Sequence, residues 1–247
     1  MGPSRTRAVA RRVLKQIRRD RRFMILVVAA PLLLVFFVKT LFDATSIPAA
    51  GQERFVVPFG AYIVHFATFI LTAIVLVRER VAQTLERMFV NGYRQFEIVG
   101  GYLLGYTALA TAVSTMVLVA LQLLFELGYD FQRLAEAFIV LWLLAVISLS
   151  LGILVSNVAQ TEGQVIPFIP LVIIPSFLFS GMMVPVDSLP GWAQVISRVS
   201  PMYYANQVLQ DLVAGTSLAS NLGAVLALPI YGILVLGAAT FTLREPS

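Results

Sequence analysis

Apolar and polar positions alternate along this chain in long blocks. Six apolar runs, at residues 23–42, 55–77, 98–121, 137–157, 165–184 and 222–243, are separated by short polar stretches. A helix rises about 1.5 Å per residue, so about 20 apolar residues cover a hydrocarbon core about 30 Å thick. The pattern predicts an all-α integral membrane protein with six transmembrane helices, residues 1–247 forming a single transmembrane domain.

Two polar stretches carry helical patterns of their own. Residues 1–22 hold Arg5, Arg7, Arg11, Arg12, Lys15, Arg18, Arg19, Arg21 and Arg22, with Val9, Val13, Leu14 and Ile17 at helical spacing between them. This predicts an amphipathic interfacial helix in the headgroup region, its cations against anionic lipid. A basic tail that only sets orientation is the alternative. In residues 78–97, Val81, Leu85, Met88 and Phe89 fall at i, i+4, i+7 and i+8, and Arg80, Gln83, Glu86 and Arg87 occupy the other faces. A helix of this kind lies on lipid, packs under its own spans, or docks into a soluble partner.

The third run places Gly101, Gly105, Ala108 and Ala112 on one face, a stripe that lets another helix backbone approach closely. The fifth contains Pro167, Pro170 and Pro175. Each proline removes a backbone donor, so this span is expected to be kinked or broken. The long connection to the sixth run holds Leu189-Pro190-Gly191-Trp192 and Ser200-Pro201-Met202-Tyr203-Tyr204, which predict short outer-face helices anchored by Trp192, Tyr203 and Tyr204.

Composition agrees with the membrane reading: 59% of the 247 residues are hydrophobic and 13% charged, and mean hydropathy is +0.87. The net charge of +5 is read as topology, not as nucleic-acid binding, because nine of the eighteen Lys and Arg lie in the first 22 residues. With that end inside, fourteen cations, Arg244 among them, fall on the cytoplasmic side and four on the outer side. Both termini are therefore expected in the cytoplasm. The basic start has no small-residue cleavage site, so the first run is read as a retained span. There is no cysteine, hence no disulfide and no thiolate metal site.

The chemistry the chain lacks narrows its function. The two lysines, Lys15 and Lys39, follow no glycine-rich turn, so the chain has no phosphate-binding loop of its own. No carboxylate falls near the middle of a span, which counts against a gradient-driven carrier. No nucleophile with a base is visible, so no catalytic residue is assigned. His65, the single histidine, lies near the middle of the second run. It makes no metal site alone, and two readings remain, a neutral packing or cavity-lining residue and a protonated relay. Tyr62, Phe66 and Phe69 in the second run, with Phe168, Phe177 and Phe179 in the fifth, line a path for a lipophilic solute or serve as packing.

In this order the pieces resemble the ABC-2 type permease family, the membrane subunits of ATP-binding cassette exporters. Two groups of residues carry the likeness: Thr84-Leu85-Glu86-Arg87-Met88 followed by Phe96-Glu97-Ile98 and Gly101, and Ser180-Gly181 to Pro185 followed by Leu189-Pro190-Gly191-Trp192 and Ser200-Pro201-Met202-Tyr203-Tyr204-Ala205. The resemblance implies a half-transporter in the cytoplasmic (inner) membrane, paired with an identical or related permease. It implies a cytosolic ATPase dimer that binds ATP and magnesium and drives the cycle. Residues 78–97 become the coupling loop, with Thr84, Leu85, Glu86, Met88 and Phe89 as ATPase contacts, and the second and fifth spans line the route past Tyr62, His65, Phe66, Phe69, Phe177 and Phe179. The expected cargo is lipophilic or amphipathic, drug-like or lipid, moved outward. A lipid-linked glycan or polysaccharide, or a non-transporting membrane subunit or enzyme, is the alternative. The sequence departs from the family at Gln83, where glycine is usual, at Gly92 for proline, at Tyr102 for lysine and at Gln210 for arginine.

Overall fold

The computed structural model describes residues 3–45 and 49–243, and those residues form helices and connecting turns without strands. Arg244 lies outside them. Helix α1 (Pro3–Arg19) leads into α2 (Arg21–Asp43), α3 (Ala49–Val81), the short α4 (Thr84–Val90), α5 (Gln95–Leu124) and α6 (Phe131–Val158). Then come α7 (Glu162–Val165), α8 (Phe168–Leu178), α9 (Gly191–Val199), α10 (Pro201–Val213) and α11 (Leu222–Thr242). Polar side chains start several of these helices by accepting an otherwise unpaired N–H. Asp20 takes that of Phe23 at 2.9 Å, Asp130 that of Arg133 at 3.0 Å, and Asn221 that of Ala224 at 3.2 Å.

Helix α3 runs through the centre of the bundle, packed chiefly on α6, with α2, α5 and α10 around it, while α11 lies against α6 and α10. Gly152 of α6 permits close approach to the α3 backbone, since a Cβ there would stand 3.0 Å from the Phe69 carbonyl oxygen and 2.9 Å from the Thr72 Cβ. By contrast α2 and α11 keep most of their apolar surface outward, as lipid-facing helices do: Leu33, Phe36, Phe37, Ile233 and Leu234 are exposed. The end of the bundle carrying α1, α4 and the start of α5 holds thirteen of the described Lys and Arg and is called the basic end below. At the opposite end the buried Tyr129 hydroxyl donates to Glu53 at 3.1 Å. Burial and that carboxylate together push the phenol up.

Two expectations change. Five helical stretches, Arg21–Asp43, Gly51–Val81, Gln95–Leu124, Phe131–Val158 and Leu218–Thr242, are long and apolar enough to cross a membrane. The expected fifth span at 165–184 corresponds to the shorter helical run Glu162–Leu178, interrupted between α7 and α8 and followed by a turn at Gly181 with φ +82°. Pro167 supplies no N–H at the break, which is why the run does not continue as one straight helix.

Helix α1 is the second change. Its apolar face is turned onto protein instead of lipid. Val9 and Val13 are buried against α5, where a Cβ on Gly101 would lie 2.5 Å from the Val9 Cβ and one on Gly105 2.7 Å from the Val13 Cβ. The small-residue stripe of the third run thus receives α1 at its two glycines, and Ala108 and Ala112, further along, are exposed. Replacing both Gly101 and Gly105 with Ala must displace α1, at a cost of about 1–3 kcal/mol. Thermal unfolding in detergent is expected to drop by several degrees for that pair and to hold for Gly223→Ala, where nothing lies within 4 Å.

Candidate functional site

Three consecutive residues at the basic end of α3 join it to four other elements. Successive helical side chains point about 100° apart, so Arg78, Glu79 and Arg80 leave the helix on separate faces. Arg78 pairs with Glu162 of α7 through two parallel bonds of 2.9 and 3.1 Å, both partners exposed. Glu79 is 4% exposed and accepts from Arg12 of α1 at 2.5 Å and from the Tyr102 hydroxyl of α5. Arg12 also donates to the Tyr102 oxygen at 3.0 Å, which closes the triangle. Arg80 donates to the Asn157 carbonyl at 3.0 Å and to its side-chain oxygen at 3.1 Å. Asn157 in turn donates to the Ala239 carbonyl of α11 at 2.6 Å. This end of α3 is thus bonded directly to α1, α5, α6 and α7, and through Asn157 to α11.

Helix α4 follows this junction after a break. Gln83 adopts the left-handed region at φ 56°, which ends α3 at Val81 and starts a new helix at Thr84. The expected stripe is split as a result: Val81 belongs to α3 and is exposed, while Leu85 and Met88 of α4 are buried against the chain's own core. Thr84 and Phe89 are half-buried, Glu86 is exposed, and Val90 is 87% exposed. At the far end of α4 the Gly92 N–H donates to the Phe89 carbonyl at 2.8 Å and the Tyr93 N–H to that of Met88 at 3.1 Å. This double closure requires Gly92 in the left-handed region at φ +74°, where proline cannot go. Arg5 of α1 donates to the Gly92 carbonyl at 2.5 Å, so α1 also holds the turn after α4.

Of the aromatic residues proposed for a pathway, Tyr62, Phe66 and Phe177 come together. The Tyr62 and Phe177 rings are 5.0 Å apart and those of Tyr62 and Phe66 stack at 6.5 Å. Phe69 is instead fully buried in a core with Val77, Val155 and Ile173, and Phe168 lies half-buried at its edge. Phe179 sits apart, edge-on to Trp192 at 5.8 Å. His65 is fully buried between Ser148 of α6, at 2.7 Å from Nδ1, and Ser176 of α8, at 3.3 Å from Nε2. Both serine hydroxyls already donate to helix carbonyls, Ser148 to Leu144 at 2.6 Å and Ser176 to Val172 at 2.7 Å. A neutral imidazole has one N–H to give, so it serves one of the two serine oxygens at a time.

Arg12, Glu79 and Tyr102 were not singled out from the sequence as a group. The available signal was a carboxylate, Glu79, at the end of a long apolar run, where it must find a cation once buried.

Comparison with known proteins agrees with this architecture. The profile of the ABC-2 type transporter family matches residues 4–213. The chain is similar to ABC transporter G family member 20 of Dictyostelium discoideum, 29% identical over 64% of this chain and 22% of that protein. It is also similar to two proteins of Escherichia coli, the probable multidrug ABC transporter permeases YbhS (26% identical, 76% of this chain and 49% of that protein) and YbhR (24% identical, 67% and 45%). The chain thus spans half or less of the length of these relatives.

The junction makes a stability prediction. Arg12→Gln leaves the Glu79 carboxylate buried without its cation, at a cost of about 3 kcal/mol. Adding Glu79→Gln is expected to recover most of that loss in thermal unfolding, whereas Arg7→Gln alone leaves the transition unchanged. Gln83→Gly relieves the left-handed strain and is expected to raise the transition slightly, by about 1 kcal/mol or less.

Proposed function

The chain belongs to the ABC-2 type transporter family and is a membrane subunit of an ABC transporter, and from this we propose that it is the permease of an ATP-driven exporter. A separate cytosolic ATPase dimer binds ATP with magnesium and supplies the work. A second permease, identical or related, completes the pathway, and the cargo is lipophilic or amphipathic. The basic end faces the cytoplasm with both termini, and Glu162–Leu178 completes a sixth crossing. Register supports that crossing: α7 starts beside Arg78, and α8 passes His65 at the middle of α3 to reach Tyr62 and Phe59 beyond it. The multidrug names of two relatives support the class of cargo.

The observation that carries this reading is the adjacency of α4 to the Arg78-Glu79-Arg80 junction. Leu85 and Met88 seat α4 on the membrane domain. Thr84, Glu86, Phe89 and the outward Val90 offer the face that meets the ATPase. Closure of the ATPase pushes α4, the two-residue link at Ala82 and Gln83 passes the force to α3, and the junction distributes it to the neighbouring helices. Tyr62, Phe66 and Phe177, between α3 and α8, line the route. His65 tethers α8 through Ser176, while Phe69 and Phe179 act as supports beside the route.

Reconstitution with the partner ATPase tests the coupling face. Val90→Asp is expected to lower permease-stimulated ATP hydrolysis about 10-fold, the effect of losing a central interface contact, and to leave thermal unfolding of the isolated permease unchanged. Stimulation at the wild-type level in that variant overturns the assignment of α4. Uphill solute movement by the permease alone, with no ATPase present, overturns the export mechanism itself.

A further inference from the structure

Val9 and Val13 of α1 are buried on α5, which leaves an outward face rich in cations, with Leu14 exposed among them. Arg7, Arg11, Lys15 and Arg18 recur at i, i+4, i+8 and i+11, a stripe opposite Val9 and Val13. Arg12, one residue over, turns inward to Glu79, but no carboxylate among the described residues lies within ion-pair distance of the four. Like charges one turn apart repel, and the first turn of α1 has no acidic residue to balance the helix dipole. A docked helix that keeps such a face needs anions from outside the chain.

Position identifies their source. Gly101 and Gly105, which hold α1, belong to the first turns of a 30-residue helix. At about 1.5 Å per residue, that helix overhangs a hydrocarbon core of about 30 Å by some ten residues. The lipid-facing surface of α2 begins just after the cationic stripe, with Met24, Ile25 and Leu26 exposed. The plane where hydrocarbon gives way to headgroups therefore runs past the end of α1.

We propose that the outward face of α1 is a binding site for anionic phospholipid headgroups, whose phosphates bridge Arg7, Arg11, Lys15 and Arg18. It rests on the reading that the basic end meets the cytoplasmic leaflet. The headgroups bind a helix already fixed to α5, so the lipid sees a rigid row of charges, not an inserted amphipathic helix. Because Arg12 on the same helix holds Glu79, and Arg5 holds the turn after α4, lipid bound here bears on the position of the junction.

The test uses the purified chain in detergent without any ATPase, so a failure of coupling does not affect it. Phosphatidylglycerol and phosphatidylcholine are titrated together and retained lipid is counted by native mass spectrometry. Wild type is expected to prefer phosphatidylglycerol, with a loss on the order of 5-fold for each cation removed. Arg7→Gln, Arg11→Gln, Lys15→Gln and Arg18→Gln combined should bring the two lipids to parity at an unchanged unfolding temperature. Retention of the preference by the combined Arg7→Lys, Arg11→Lys and Arg18→Lys variant supports charge as its origin. No preference in wild type, or the same preference in the quadruple glutamine variant, overturns the proposal. Displacement of the lipid by an equal concentration of inorganic phosphate also overturns it, since the site then takes free anions.

Discussion

A carboxylate held away from water must be matched by a cation, and Glu79 imposes that requirement on the whole basic end of the bundle. It stands 4% exposed at the end of the central helix, so its partner has to come from another element. Arg12 meets the need only because α1 lies close on α5, and α1 lies close only because residues 101 and 105 carry no side chain. Tyr102 then completes the arrangement by giving its hydroxyl to the same carboxylate. Here a neutral phenol beside Glu79 leaves the positive charge to the first helix, so α1 becomes part of the core instead of an accessory.

The same economy governs α4. Seven residues are too few for a helix to hold itself in water, so α4 depends on its ends and on what it buries. Leu85 and Met88 give it a seat, Gln83 pays conformational strain to turn the chain into it, and Gly92 closes it with a paired turn. The exposed remainder, from Glu86 to Val90, is small, and its orientation is fixed by α1 on one side through Arg5 and by α3 on the other.

Much of this was legible in the sequence, and the rest failed for identifiable reasons. Long apolar runs announce helices in lipid because every backbone polar group must bond within its own segment, so α2, α3, α5, α6 and α11 were placed within several residues. A helical stripe, however, says that a face is buried and not what buries it. Val9 and Val13 mark an interfacial helix by their spacing and lie on α5; Leu85 and Met88, expected at a partner's surface, lie on the chain itself. Val81 fitted the stripe by spacing, yet a single left-handed residue at Gln83 put it on another helix. The prolines foretold a broken fifth segment, but not that its helical part would begin at Glu162 and end at Leu178.

That fifth segment shows what proline does beyond breaking a helix. Residues 168–178 include Pro170 and Pro175, neither of which has an N–H, and the helix packs only lightly on its neighbours. Its polar attachments are correspondingly few and specific: Ser176 to His65 near its middle, and beyond its end the Asn206 amide donating to the Ser180 carbonyl at 3.0 Å. The first is conditional, because a neutral imidazole that gives its N–H to Ser148 at 2.7 Å has only a lone pair for Ser176. Ser176 then engages His65 only by withdrawing its own hydrogen from the Val172 carbonyl, a trade of one bond for another within α8. Holding and releasing α8 at this point therefore differ by the direction of one hydroxyl, and not by the loss of a bond. A helix tethered this way can shift along α3 at small cost, while α3 and α6, closed on each other at Gly152, cannot.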